Sequence, residues 1–150
     1  MSRSLRDPAG RSAILSRLAA LPPGRAPCWG RMAPEQLLPH LADGLRLALG
    51  ELHRPSRAPH PLKAAVRRLL AIYLLPWPKG KIEAPAGAFT TPSAGWDADR
   101  AQVVALVERL AAATASQVAP VHPHFGRMSL GDWGVLQYRH MDHHLRQFGV

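Results

Sequence analysis

The stretch that decides the fold is Pro34-Glu35-Gln36-Leu37-Leu38-Pro39-His40-Leu41-Ala42-Asp43-Gly44-Leu45. Its leucines recur every three or four residues and continue to Leu49 and Leu52, which predicts one long amphipathic helix beginning near Ala33. Pro39 falls within the first turns, where a missing amide hydrogen costs little. A stripe this continuous must be covered by other helices, so it predicts a helical bundle.

Similar signals predict four further helices. A first helix over residues 7–20, capped by Asp7, ends at the breaker Leu21-Pro22-Pro23-Gly24. The others are expected at 61–75, at 97–116 with Asp97 as the cap, and at 129–148, where Ser129 and Asp132 approximate a capping box. No stretch alternates apolar and polar residues long enough for a strand. We therefore predict a single all-α domain over residues 1–150, a four-helix bundle with a short extra helix and long loops.

Composition narrows the class of protein. The 150 residues carry a formal charge of +9, but the arginines are spread along the chain rather than gathered on one element, so no specific nucleic-acid partner is expected. The single Cys28 excludes an internal disulfide and a multi-cysteine metal site, and it fits a reducing compartment. Met1–Gly10 lacks a signal-peptide core, and Leu69–Trp77 is too short to span a membrane. These features predict a cytoplasmic protein without a membrane partner.

The chemistry is concentrated in Arg139-His140-Met141-Asp142-His143-His144-Leu145-Arg146-Gln147-Phe148-Gly149. Imidazoles four residues apart on a helix share one face. With His140 at zero and about 100° per residue, His144 falls about 40° towards the apolar stripe of Met141 and Leu145. His143 falls about 60° to the other side. His140 and His144 are therefore the predicted metal-ligand pair, and His143 is expected behind them or exposed.

His40 is the best candidate for a third ligand. It lies on the flank of the leucine stripe, and Gly44, one turn further on, leaves space in front of its imidazole. Asp43 and Gln147 are candidates to accept a hydrogen bond from a ligating imidazole. A lone helical histidine is also common in a core, and spaced histidines can simply pack. On spacing alone, the metal site and the core interpretation both stay open.

The loop that leads into the last helix is expected to shape a pocket. It contains His122-Pro123-His124-Phe125-Gly126, and its histidines could equally be turn or capping residues. We expect Phe125 and Trp133, together with parts of Pro76–Trp96, to border one cavity containing the metal, and His122 is a further candidate there. Such a wall would shield an open metal position from bulk water.

Two stretches resemble the DinB/YfiT-like metalloenzyme superfamily, in an uncharacterised bacterial branch. Residues 29–50 resemble its second helix, and His122–Gly126, Trp133-Gly134 and residues 138–149 resemble the end of the chain in that branch. The region from about 53 to 120 is matched only by its helical pattern. In that superfamily, one histidine of the second helix and two, four apart, of the last helix hold a divalent metal. The resemblance places these roles on His40, His140 and His144, the trio that helical geometry selects.

The leading hypothesis is a metal-dependent enzyme with an open tri-histidine site. This site would bind a divalent metal, with zinc and nickel as the first candidates. The resemblance implies a thiol-dependent transferase or isomerase. A hydrolase is the alternative type of enzyme. Such a metal would lower the pKa of a bound water or thiol. The expected partner is a small-molecule substrate, with a low-molecular-weight thiol as a candidate; a homodimer stays open. Two alternatives remain: a non-catalytic metal- or small-molecule-binding bundle, and a basic interaction protein.

Overall fold

The structure is a computed structural model that describes residues 3–55, 57, 60–80, 89 and 91–150. Within these residues the chain forms five α-helices: α1 Pro8–Ala20, α2 Pro34–Ala48, α3 Pro61–Arg68, α4 Trp96–Ala112 and α5 Leu130–Gln147. A π-helical turn, Leu69–Leu74, continues α3, and a short 3₁₀ turn, Ala115–Gln117, follows α4. The prediction of an all-α bundle is confirmed. No described helix has the length and apolar character needed to cross a membrane.

One small element departs from the prediction of no strands. Two-residue strands β1, Val121–His122, and β2, Gly126–Arg127, pair antiparallel with His122 opposite Gly126. Gly126 has φ of 67°, a conformation that favours glycine and closes the tight hairpin. The pairing is too short to leave an alternating pattern in the sequence. It matters because it fixes the loop that carries His122 and His124.

The leucine stripe of α2 forms the centre of the core. Leu37, Leu38, Leu41 and Leu45 are at most 1% exposed, and α2 packs against both α4 and α5. Full burial of such a side chain contributes about 1.5–3 kcal/mol. The α1 helix packs mainly against α5 and buries Ile14 and Leu18. The buried contacts between α2 and α5 therefore fix the positions of side chains at the edge of this interface.

Three predicted helix boundaries differ from the structure. The α2 helix ends at Ala48, because Gly50 takes φ of 74° and turns the chain, so Leu49 and Leu52 lie beyond the helix. The α4 helix is capped by Gly95, at φ of 108°, rather than by Asp97. Asp99 supports this end, since its carboxylate accepts a hydrogen bond from the Ala94 amide at 3.1 Å. The other end of α4 is at Ala112, short of the predicted 116.

The start of α5 follows its predicted capping box. The Ser129 hydroxyl accepts from the Asp132 amide at 3.1 Å, and the Asp132 carboxylate accepts from the Ser129 amide at 2.8 Å. Such a cap contributes about 1 kcal/mol and sets where the helix begins. Because the start is fixed, the rotational position of every later α5 side chain is fixed with it.

Candidate metal centre

Three histidines meet where α2 crosses α5. The ligand atoms of His40, His140 and His144 all lie within 4.8 Å of one another, the one such set of three among the described residues. The Nε2 atoms of His40 and His140 are 2.9 Å apart. The ring of His40 lies 4.8 Å, centre to centre, from the rings of both α5 histidines. The structure therefore brings together the three residues that the sequence selected.

Gly44 allows this close approach of the two helices. A Cβ atom at Gly44 would lie 2.9 Å from both Cε1 and Nδ1 of His140, closer than van der Waals contact permits. The absence of a side chain one turn after His40 thus leaves the space that the His140 imidazole occupies. Any larger residue would push that imidazole away from His40.

A chain of hydrogen bonds orients His144. The Gln147 amide nitrogen donates to the Trp29 carbonyl at 2.8 Å, which turns the amide oxygen towards His144. That oxygen lies 2.8 Å from His144 Nδ1 and can only accept, so the imidazole proton is on Nδ1. The lone pair of Nε2 is then available in the histidine cluster. Gln147 therefore has the contact that the sequence analysis expected of it.

The α5 histidines of the cluster are held neutral. Burial, followed by the nearby His40, lowers the pKa of His144 to about 3 against the raising effect of its hydrogen bond with Gln147. Burial, followed by the other histidines, also lowers the pKa of His140 well below its ordinary value. A neutral imidazole is the form that binds a metal ion. At pH 7 both side chains are therefore ready to donate a lone pair.

A cavity of about 270 Å³ opens beside His40 and His140. Its apolar wall is formed by Leu47, Trp77, Phe125 and Leu136. Its polar wall is formed by Asp43, Arg54, Arg57, His122, His124 and Gln137. The expectation that Phe125 and part of the 76–96 loop border the histidines is met by Phe125 and Trp77. Within that loop, residues 81–88 and 90 lie outside the described residues.

His122 presents a neutral imidazole to the cavity. Burial, followed by the nearby His124, lowers its pKa to about 4. Its Nδ1 accepts the His124 amide hydrogen at 3.0 Å, which leaves the proton of the neutral ring on Nε2. The ring stacks on Phe125 with centres 4.5 Å apart. His122 is therefore an uncharged hydrogen-bond donor on the cavity wall.

Trp133 does not line the cavity, contrary to expectation. It is fully buried, its indole nitrogen donates to the Ala119 carbonyl at 2.7 Å, and its ring lies 5.3 Å from that of His122. Trp133 shares a helical face with His140 but lies about 10 Å away along the axis, since each residue rises 1.5 Å. It therefore supports His122 from behind.

Asp43 lines the cavity as part of an arginine network. Its carboxylate accepts hydrogen bonds from the Thr91 hydroxyl at 2.8 and 3.0 Å and pairs with Arg46 at 3.1 Å. Arg54 lies 4.0 Å away on the same carboxylate. Only 4% of Asp43 is exposed, so these partners stabilise a buried charge. The contacts tie the end of the 76–96 loop to α2, one turn after His40.

His143 lies outside the trio. Its ring centre is 5.2 Å from that of His144 and 5.7 Å from that of Trp77, and His143 is not among the three histidines whose ligand atoms converge. Burial lowers its pKa, although Asp142 acts in the opposite direction. This position agrees with the helical angle worked out from the sequence.

Three polar residues of the cavity wall were not predicted: Arg54, Arg57 and Gln137. Gln137 could have been found, because it precedes His140 by one helical turn. It is only 3% exposed, and its side-chain oxygen accepts no hydrogen bond from the described residues. A Cβ atom built on Gly44 would lie 3.0 Å from this oxygen and 2.9 Å from His140 Nδ1. A buried acceptor with no hydrogen-bond donor among the described residues therefore lies near His140.

Comparison with known proteins agrees with this architecture. The family model described as the DinB superfamily matches residues 9–148, which include all three clustered histidines. No curated protein and no solved structure matches the chain. Because the family match spans most of the sequence, the chain belongs to the DinB superfamily.

Proposed function

We propose that this protein is a metal-dependent enzyme in which His40, His140 and His144 hold one divalent ion, with zinc and nickel as the first candidates. The observation that carries the proposal is the convergence of these imidazoles within 4.8 Å at the edge of a cavity. Three protein ligands leave a position for a substrate, whereas a structural zinc site is closed by a fourth protein ligand. An open site beside a cavity is what catalysis requires.

The residues fit such an ion. The 2.9 Å between the Nε2 atoms of His40 and His140 lies at the lower end of the range for two ligands of one ion. Two nitrogens at roughly 2.0–2.1 Å from zinc are about 2.9 Å apart at a right angle and about 3.3 Å apart in a tetrahedron. Gln147 holds the His144 tautomer, as hydrogen-bond acceptors do for ligating histidines in general.

The surrounding residues prepare the cavity for a small molecule. A divalent ion there would supply Lewis acidity that lowers the pKa of a coordinated water or thiol. Trp77 and Phe125 line the cavity and would shield a bound molecule from bulk water, and His122 offers an uncharged donor to a bound oxygen. The cavity-lining carboxylate among the described residues, Asp43, is engaged by Thr91 and two arginines, so it is poorly placed as a general base. This favours a thiol-dependent transferase or isomerase over a hydrolase.

Metal content tests the proposal. Untagged wild-type protein should carry about one divalent ion per chain by elemental analysis after exposure to zinc or nickel. Alanine at His40, His140 or His144 should remove most of it, because two imidazoles bind far more weakly than three. His143→Ala is the matched control, since it removes an imidazole from the same helix turn, and it should retain the ion. Full occupancy in His40→Ala, or equal loss in His143→Ala, would contradict the proposed site.

A further inference from the structure

The wall of the cavity carries more positive than negative charge. Arg54 and Arg57 both line it, and its one described carboxylate belongs to Asp43. That carboxylate is already shared by Arg46, Arg54 and Thr91. No described carboxylate lies within salt-bridge distance of Arg57. At least one guanidinium charge on this wall is therefore not balanced by the described residues.

Arg57 is anchored where it can act on a ligand. Its backbone amide donates to the Pro123 carbonyl at 2.7 Å, which ties residue 57 to the hairpin loop between β1 and β2. Its charge also acts on His124 in the polar wall of the cavity. Burial lowers the pKa of His124, and the charges of Arg67 and Arg57 lower this pKa as well. An arginine held by its backbone loses less freedom on binding an anion than one on a free loop.

The other residues that line the cavity indicate the size and polarity of a ligand that would fit it. Leu47, Leu136, Trp77 and Phe125 offer an apolar surface. The volume of about 270 Å³ is just below the roughly 300–1,000 Å³ typical of sites for drug-sized ligands. His122 adds an Nε2–H donor close to Phe125. These features fit a small molecule with an apolar body and one acidic group.

We propose that the cavity binds a small carboxylic acid, whose carboxylate is held by Arg57 and whose apolar body packs on Trp77 and Leu136. A carboxylate monoanion matches one guanidinium that pairs with no described carboxylate, and that guanidinium can hold both of its oxygens. The other end of the molecule then faces His40 and His140. The identity of this ligand as a substrate rests on the proposed function, but its binding does not.

The test compares two probes of equal shape and different charge. Phenylacetate and phenylacetamide are titrated into isotopically labelled, zinc-treated protein, and binding is followed by NMR. Wild-type protein should bind phenylacetate about threefold to tenfold more tightly, the effect of one partly exposed charged hydrogen bond. Arg57→Ala should abolish this preference, whereas Arg57→Lys should keep part of it. Arg100→Ala, which removes one charge from α4 outside the cavity, should leave it unchanged.

Two results would overturn the proposal. One is equal binding of the acid and the amide by wild-type protein. The other is a preference that survives in Arg57→Ala, which would mean that the carboxylate coordinates the metal or meets another group. Metal content is measured on every sample. Loss of the ion with a retained acid preference would count against the proposed enzyme alone, and a retained ion without the preference would count against this ligand alone.

Discussion

His40 and His140, separated by 100 positions in the chain, place their Nε2 atoms 2.9 Å apart. Two imidazole nitrogens at this distance either share one proton or direct two lone pairs at one ion. The second arrangement is the one that a third imidazole, from His144, would complete. The contact also connects α2 with α5. A metal ion bound by the cluster would therefore stabilise the packing of these two helices.

Gly44→Ala should separate metal binding from folding. The added methyl group would lie 2.9 Å from the His140 ring, which must move, while alanine improves helix propensity by about 1 kcal/mol. We expect a folded protein whose zinc affinity, measured by competition with a chromogenic chelator, falls at least about tenfold. Gly131→Ala is the matched control, because its methyl group would meet only Ser129 Oγ at 3.7 Å. Unchanged affinity in Gly44→Ala would mean that His140 is not fixed by this contact.

Gln147→Leu should weaken zinc binding by about 10- to 100-fold, the usual cost of losing a partner behind a ligating histidine. The leucine cannot accept the Nδ1 proton of His144, so the tautomer with a free Nε2 is no longer favoured. The same chelator competition measures the loss. Gln102→Leu, on the exposed side of α4, should have no effect. Equal affinity in the two variants would contradict the role of Gln147.

Gln137→Leu should change stability and metal affinity in opposite directions. Its buried oxygen accepts no hydrogen bond from the described residues, and such a group costs about 1–3 kcal/mol. Replacing it with an apolar side chain should therefore raise the unfolding free energy of metal-free protein in urea. If the oxygen accepts from His140 Nδ1 when the ion is bound, zinc affinity should fall at the same time. Higher stability with unchanged affinity would leave Gln137 as a strained core residue without a role in the site.

Acid should destabilise the protein in a defined window. The folded-state pKa is about 4 for His122 and about 3 for His144, against an ordinary value of 6.5. The unfolded chain therefore binds protons first as the pH falls. Through these two groups, the unfolding free energy should have its full value above about pH 6.5. It should then fall progressively down to about pH 3–4, because the folded protein resists protonation of the buried rings. Urea unfolding of metal-free wild type should show this slope, and His122→Gln should reduce it; a flat profile between pH 7 and 4 would contradict the burial of these rings.

The basic charge should not produce specific DNA binding. Several arginines are engaged within the fold, such as Arg17 with Asp142 at 2.6 Å and Arg68 with Asp132 at 3.8 Å. We expect duplex DNA to bind weakly, without sequence preference, and to dissociate as salt is raised. Fluorescence anisotropy at physiological salt measures this. A tight, sequence-dependent complex would favour the alternative of a basic interaction protein.

The sequence predicted the histidine cluster because helical periodicity converts spacing into direction. His40, Gly44, His140 and His144 all lie in regular helices whose buried faces are marked by leucines. Periodicity gives the angle about the helix axis but not which neighbouring side chains a residue meets. It therefore predicts Trp133 on the cavity wall, whereas Trp133 is fully buried behind His122.

The arginines of the cavity wall could not be predicted in this way. Arg54 and Arg57 follow α2 in irregular chain, where no repeat sets direction. Their positions depend on tertiary contacts, such as the hydrogen bond from the Arg57 amide to Pro123. The hairpin that supplies Pro123 is itself only two residues deep on each side, too short to be seen in the sequence.

The most direct test of the tri-histidine site is X-ray absorption at the zinc edge on protein loaded with one equivalent of zinc. An open tri-histidine site should show three imidazole nitrogens at about 2.0–2.1 Å, with multiple-scattering features of histidine. Its remaining light-atom ligand should be replaced, when a small thiol is added, by one sulfur at about 2.3 Å. A sulfur ligand before any thiol is added would point to Cys28, and four protein nitrogens without an exchangeable position would point to a closed structural site. Either result would contradict an open centre built from His40, His140 and His144.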